Sequence, residues 1–395
     1  MKTLDGKSFN NEKVIIRVDF NVPLNKQKVV TDNTRIVSAK ATIDTILSSG
    51  GCCILISHLG RPKGIDLELS LEHIVGEVSK VLEKPVKFCP QCVGETATAM
   101  VAELKAGEVL LMENLRFHSE ETKGDLAFAE QLAQLGTSFV NDAFGTAHRA
   151  HASTTIIAQF FDQKKYFGKL LENEVIAVEK VMKSGEKPVL AILGGAKVSS
   201  KITIIENMLD KIDHLLIGGG MVYTFVKAQG GKIGESICED DYCQYALDIL
   251  QKAKEKGVEI HLPVDVVAAD DFSNDANKKV FPVSEIPTGW QGLDAGPKSL
   301  ENFKEVVMQS KTILWNGPLG VFEFPSFANG TITIGNYIKE STKAGAFSLV
   351  GGGDSVAAVK QFGLEDEMSY ISTGGGAMLE SLEGKTLPGI AALLS

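Results

Sequence analysis

Short apolar runs alternate with stretches of helical spacing along nearly the whole of the 395-residue chain. Val14–Val18, Cys52–Ile56, Val109–Met112 and Ser138–Val140 are the continuous runs expected of strands buried on both faces. Between them Thr34–Leu47, Ser70–Leu82 and Asp125–Leu135 place apolar residues at helical intervals. The second half repeats the rhythm. Pro188–Leu193, His214–Ile217, Glu259–Leu262, Thr312–Trp315, Phe347–Val350 and Ser369–Ser372 predict strands, and Val198–Leu209, Tyr242–Lys256 and Leu300–Gln309 predict helices. Strand and helix in alternation, twice over, predict an α/β chain of two doubly wound parallel sheets covered by helices.

The expected division falls at Lys169–Lys187, where the charged helical stretch Leu170–Val175 leads into Ser184-Gly185-Glu186-Lys187-Pro188. A linking helix fits this stretch better than a flexible linker. The two halves share no recognisable sequence repeat.

Composition narrows the partners. The net charge of −10 disfavours nucleic acid and anionic membranes, so an anionic ligand must be captured by a local cluster. Neither an apolar leader nor a run of membrane-spanning length is present, and a cytoplasmic location is expected. The six cysteines lie mostly among apolar neighbours. Cys89-Pro90-Gln91-Cys92 has the CxxC spacing of a zinc or redox site, but no second CxxC or HxxxH completes four ligands, and a plain loop is the competing reading. Of the 40 basic residues only five are arginine: Arg17, Arg35, Arg61, Arg116 and Arg149, all in the first 150 positions. A chain that uses lysine for general surface charge keeps arginine where a planar fork must grip carboxylate or phosphate, or in a buried ion pair.

Ligands of open parallel sheets bind beyond the carboxyl ends of the strands. In the first half those exits read Asp19-Phe20-Asn21, Ser57-His58-Leu59-Gly60-Arg61, Glu113-Asn114-Leu115-Arg116 and Asn141-Asp142, the last leading to His148-Arg149-Ala150-His151. In the second half they read Gly194-Gly195-Ala196-Lys197, Gly218-Gly219-Gly220, Asn316-Gly317-Pro318, Gly351-Gly352-Gly353-Asp354-Ser355 and Thr373-Gly374-Gly375-Gly376. Glycine turns that open onto helices let phosphates or a purine approach backbone N–H groups, although any single such turn can serve helix packing alone. Asp354, after three glycines, is placed either to hold magnesium against nucleotide phosphates or to cap a helix, and both roles are compatible. Lys197 and Lys201, four apart at an expected helix start, share a face and reach toward transferring phosphates, unless they are simply solvated. GxGxxG and GxxxxGK[ST] both fail, which argues against a dinucleotide dehydrogenase and a Walker-type NTPase. HExxH and GxSxG are likewise absent from the sequence.

Arg17-Val18-Asp19-Phe20-Asn21-Val22-Pro23, Ser57-His58-Leu59-Gly60-Arg61-Pro62 and Asn141-Asp142-Ala143-Phe144-Gly145-Thr146-Ala147-His148-Arg149-Ala150-His151 resemble the phosphoglycerate kinase family. Leu193-Gly194-Gly195-Ala196-Lys197-Val198, Trp315-Asn316-Gly317-Pro318-Leu319-Gly320-Val321-Phe322-Glu323 and Gly351-Gly352-Gly353-Asp354-Ser355 resemble its nucleotide side. The resemblance implies reversible phosphoryl transfer between 1,3-bisphosphoglycerate and ADP, giving 3-phosphoglycerate and ATP with Mg²⁺. It further implies two Rossmann-like lobes: Met1–Gly168 with a returning tail over 380–395, and 188–379, joined by 169–187. The implied triose site is Asp19, Phe20, Asn21, Arg35, His58, Leu59, Gly60, Arg61, Arg116, Arg149 and His151, with Arg17 a less direct member. The implied nucleotide site is Gly195, Ala196, Lys197, Lys201, Gly218, Gly219, Gly220, Gly292, Leu293, Asn316, Pro318, Glu323, Gly351, Gly352, Gly353, Asp354 and Ser355. Asp354 stands at the metal and Arg35, Lys197 and Lys201 at the chemistry. Ser200 departs from the aspartate frequent between the two lysines. A monomer is the family default, and a silent nucleotide- or sugar-phosphate-binding protein is the alternative.

Overall fold

The computed structural model describes residues 1–395. The chain divides into two compact units, Met1–Ile176 together with Thr386–Ser395, and Ala177–Lys385. The division falls inside the helix Lys169–Met182. The helix Gly376–Leu382 belongs to the second unit, where Asn207 donates to the Leu382 carbonyl at 2.6 Å. In the first unit the Gly389 N–H donates to the Ala147 carbonyl and thereby anchors the terminal helix Pro388–Leu394.

The first unit is built on β1 (Lys13–Val18), β2 (Cys52–Ile56), β3 (Val86–Cys89), β4 (Val109–Met112), β5 (Ser138–Asp142) and β6 (Lys165–Phe167). They form one sheet in the order β3-β4-β2-β1-β5-β6, with every neighbouring pair parallel. Ile54 and Leu55 lie in its centre with no exposed surface, as a sheet covered on both faces demands. The helix Lys169–Met182 is seated on β5: the Asp142 carboxylate accepts from the N–H groups of Leu170 and Leu171 at 2.9 and 3.2 Å. Those donors have no partner within their own helix.

The second unit comprises β7 (Val189–Leu193), β8 (His214–Ile217), β9 (Lys232–Ile233), β10 (Glu259–His261), β11 (Asp265–Ala269), β12 (Lys278–Pro282), β13 (Glu285–Ile286), β14 (Gln291–Ala295), β15 (Thr312–Asn316), β16 (Phe347–Val350) and β17 (Tyr370–Ile371). Its main sheet runs β10-β8-β7-β15-β16-β17, again parallel throughout. The expected pair of parallel α/β sheets is therefore present. Beside the second lies a three-stranded antiparallel sheet, β12-β11-β14, that the strand and helix alternation did not predict. In both main sheets chain order reverses beside a central strand, at β1/β5 and at β7/β15, and such switch points leave a crevice at the carboxyl ends.

Candidate functional site

A cavity of about 530 Å³ opens beyond the ends of β1 and β5. Asp19, Asn21, Arg35, His58, Arg61, Arg116, Arg149 and His151 line it, joined by Pro62, Thr122, Gly145, Thr146 and His148. The Arg35 guanidinium pairs with the nearly buried Asp19 carboxylate. Gly60, at φ +62°, receives two of the lining side chains through its backbone: its N–H donates to Asn21 Oδ1 at 2.8 Å and its carbonyl accepts from Arg116 at 2.7 Å. The Arg116 Nε–H is buried and has no acceptor in the protein, leaving a donor for an anion.

Two histidines here are held neutral. Burial and the surrounding Arg17, Arg116 and Arg35 push the His58 pKa well below its ordinary value. Burial, with Arg116, Arg17 and Arg149, lowers His151 to about 4. Positive charge in this cavity is thus carried by arginines.

Three residues of the expected triose site lie outside the cavity lining. Phe20 and Leu59 do not line the cavity: each alternates with a lining neighbour along an extended exit, so both turn into the core, where Phe20 is wholly buried. Gly60 also lies behind the cavity wall and supports it. Arg17 is fully buried, donating from Nε to Ser153 Oγ at 2.8 Å, and orients lining residues from behind. The CxxC thiols are buried as well, and Cys92 Sγ donates to the Glu113 carbonyl.

A second cavity of about 420 Å³ lies at the β7/β15 switch point. Gly195, Ala196, Gly219, Gly220, Gly292, Leu293, Pro318, Glu323 and Asp354 line it. A Cβ on Gly194 would strike the Pro318 carbonyl, and one on Gly292 would strike the Tyr223 hydroxyl, so the exits interlock only because these residues are glycine. The expected list omitted Tyr223, Ile237, Phe272, Gln291, Leu319, Gly320 and Val321, most of which add apolar surface to the slot. Leu319 to Val321 directly follow the Asn316-Gly317-Pro318 exit and were within reach of that signal. Phe272, between the strands of the small antiparallel sheet, had no comparable marker.

Lys197, Lys201, Gly218, Asn316, Gly351, Gly352, Gly353 and Ser355 are outside the lining and frame it. Asn316 is the link, accepting from Lys201 Nζ and donating to the Gly351 carbonyl at 2.7 Å. Ser355 Oγ accepts from the Gly317 N–H, and Gly218 packs against Leu319. Lys197 and Lys201 do not share a helical face, because the helix begins at Ile202 and the segment before it is a turn. Ser199 is fastened within that turn by two hydrogen bonds to the Glu239 carboxylate, at 2.6 and 2.9 Å. Burial lowers the Lys201 pKa while Asp354 opposes the shift. Asp354 lies in the first turn of the helix Gly353–Gln361, whose cap position is Gly352.

A family model described as phosphoglycerate kinase matches residues 4–385. The chain is 52% identical over 415 aligned positions to the phosphoglycerate kinase of Porphyromonas gingivalis, with 99% of each chain covered. It is 48% identical over 391 positions to the cytosolic phosphoglycerate kinase of Triticum aestivum, covering 99% of this chain and 97% of that one. The solved phosphoglycerate kinase of Coxiella burnetii superposes with a TM-score of 0.91 at 39% identity, covering 99% of this chain and 98% of that one. That of Pyrococcus horikoshii gives 0.84 at 31% identity, covering 100% and 98%. With two switch-point cavities of this composition and relatives matched end to end, the chain belongs to the phosphoglycerate kinase family.

Proposed function

We infer that the chain catalyses reversible phosphoryl transfer from ATP to the carboxylate of 3-phosphoglycerate, giving ADP and 1,3-bisphosphoglycerate. The observation that carries this reading is the pairing of an arginine-walled cavity at one switch point with a glycine- and apolar-walled cavity at the other. A triose phosphate bears a phosphate and a carboxylate, which suit the forks of Arg61, Arg116 and Arg149. A nucleotide offers a flat apolar base for Leu293, Val321 and Phe272, and phosphates for the N–H groups of the glycine turns. Glu323, lining the same slot, is placed to accept from ribose hydroxyls.

The acceptor is already a carboxylate at neutral pH, so the reaction needs no general base. That agrees with His58 and His151, both neutral and set among arginines. The barrier lies in charge on the migrating group, and Arg35 and Lys201, with Lys197 as a third, are the cations we assign to it. Asp354, a carboxylate lining the slot, suits a hard cation shared between one carboxylate and nucleotide phosphates, so Mg²⁺ fits. When bound, that ion neutralises phosphate charge. The triose and nucleotide are assigned to different units, and we propose that the units close over both ligands during turnover, with hinges at Lys169–Lys187 and at Ser372-Thr373.

No helix is long and apolar enough to cross a membrane, and we assign the chain to the cytoplasm, acting as a monomer without nucleic-acid partners. The test is ADP release from ATP with and without 3-phosphoglycerate and Mg²⁺, drawn forward by glyceraldehyde-3-phosphate dehydrogenase and NADH. Turnover that requires both is expected. Folded protein that binds ATP without turning it over would leave a binding protein instead.

A further inference from the structure

At the edge of the second main sheet, outside the lining of the cavity in the same unit, two imidazoles and a carboxylate converge. His214 opens β8 and pairs in parallel register with Glu259, which opens the edge strand β10; His261 lies two residues further along β10. Residues in register share a face and residues two apart return to it, so all three side chains project from one side of the sheet. His214 Nδ1 lies 3.1 Å from His261 Nε2 and 3.4 Å from Glu259 Oε2, and His261 Nε2 lies 3.9 Å from that same oxygen.

We propose that His214, Glu259 and His261 form a binding site for one divalent transition-metal ion, of the Zn²⁺ or Co²⁺ class. Metal–nitrogen and metal–oxygen bonds of about 2.0–2.2 Å put neighbouring ligands about 3.0 Å apart around an octahedral ion and about 3.4 Å apart around a tetrahedral one. Two of the observed separations fall within that range and the third exceeds it by about 0.5 Å, so binding requires only small side-chain movements. Two neutral imidazoles and one carboxylate suit Zn²⁺, Co²⁺ or Ni²⁺ and disfavour Mg²⁺, which takes oxygen ligands. The histidine side chains are about one-fifth exposed and Glu259 is two-thirds exposed, giving an entry path and room for water in the remaining positions. On binding, the proton shared between the two rings shifts to a ring nitrogen that faces away from the ion, so no co-reactant is needed. The site sits at the amino end of β8, while the glycine exit toward the nucleotide cavity follows Ile217 at the other end, about 10 Å along the strand.

The experiment is calorimetric titration of the full chain, nucleotide-free and kept reduced without thiols, with ZnCl₂ and separately with MgCl₂. The visible absorption of bound Co²⁺ serves as a ligand-field readout. Cys238, Asp240 and Cys243 form the other cluster of metal-ligating side chains, so the Cys238→Ser/Cys243→Ser variant is titrated beside wild type. One Zn²⁺ is expected in both, weakened about 100-fold by His261→Asn and about 10-fold by Glu259→Gln. Kinase turnover in MgATP assays free of zinc and cobalt should be unchanged in both site variants, showing that they fold. If His261→Asn lowers that turnover, the exposed Glu259→Gln decides. No zinc binding, binding indifferent to these variants, or binding lost only with the cysteines would overturn the proposal.

Discussion

The Arg17 guanidinium, fully buried behind the arginine-lined cavity, donates to Nδ1 of the lining residue His58, 3.2 Å away. A guanidinium has no acceptor, so Nδ1 must be the accepting nitrogen and the neutral ring carries its proton on Nε2. The contact fixes both the tautomer and the charge of His58. It also shows how the protein packs several cations around one anion site: the groups able to give up charge do so, and the arginines remain charged.

A pH dependence of stability with a defined sign follows. His151 titrates near about 6.5 in the unfolded chain and at about 4 in the folded one. Its neutral form contributes stability that is present above 6.5 and lost as pH falls toward 4, amounting to about 2 kcal/mol at pH 5. Asp142, raised by burial to about 7, acts oppositely: its contribution is present below about 3.9 and is lost as pH rises through 7. Urea unfolding at pH 7 and pH 5 separates them. Relative to wild type, His151→Gln should lose less stability on acidification and Asp142→Asn should lose more; equal pH responses of all three proteins would refute both assignments.

Arg35→Ala is expected to lower kcat by about 100-fold or more while changing ATP affinity less than about threefold. The arginine lines the triose cavity and pairs with Asp19 there, and no part of it lines the nucleotide slot. Arg35→Lys should recover little, because a point charge does not reproduce the planar fork. A rise in the ATP dissociation constant comparable to the loss in kcat would argue against this role.

Much of this arrangement was legible because buried parallel strands are continuous apolar runs and their exits interrupt them sharply. Cys52–Ile56 and Phe347–Val350 coincide with β2 and β16 residue for residue. Elements with weaker burial were hidden. In β3 and β12 exposed or half-exposed lysines break the apolar pattern, and β6 is only three residues long. The helix expected from Val198 starts at Ile202 because Glu239, forty positions from Ser199, holds the preceding turn, a contact no local pattern announces. Among site residues, motif membership did not separate wall from support: Phe20 and Leu59 lie in the same motifs as Asp19 and His58 but face the opposite way.

Gly292→Ala should weaken ATP and ADP about tenfold or more while leaving 3-phosphoglycerate binding unchanged. A Cβ there meets the Tyr223 hydroxyl, ring carbon and all, inside the slot. Tyr223 is buried and itself lines the slot, so displacing it reshapes the space left for a base. Calorimetric titration with each ligand separately would show the effect, and nucleotide affinity within twofold of wild type would sink it.

Asp354→Asn tests the cation assignment and the Lys201 environment together. Losing the carboxylate should raise the Mg²⁺ concentration for half-maximal rate about tenfold, while metal-free ADP binding changes little. It should also move Lys201. Burial lowers the Lys201 pKa and the Asp354 charge raises it, so removing that charge lets the pKa fall further. If protonated Lys201 stabilises the migrating phosphoryl group, the alkaline limb of kcat against pH then begins at a lower pH in the variant than in wild type. A changed Mg²⁺ requirement with an unmoved alkaline limb would keep Asp354 at the cation and remove Lys201 from the chemistry. An unchanged Mg²⁺ requirement would remove Asp354 itself.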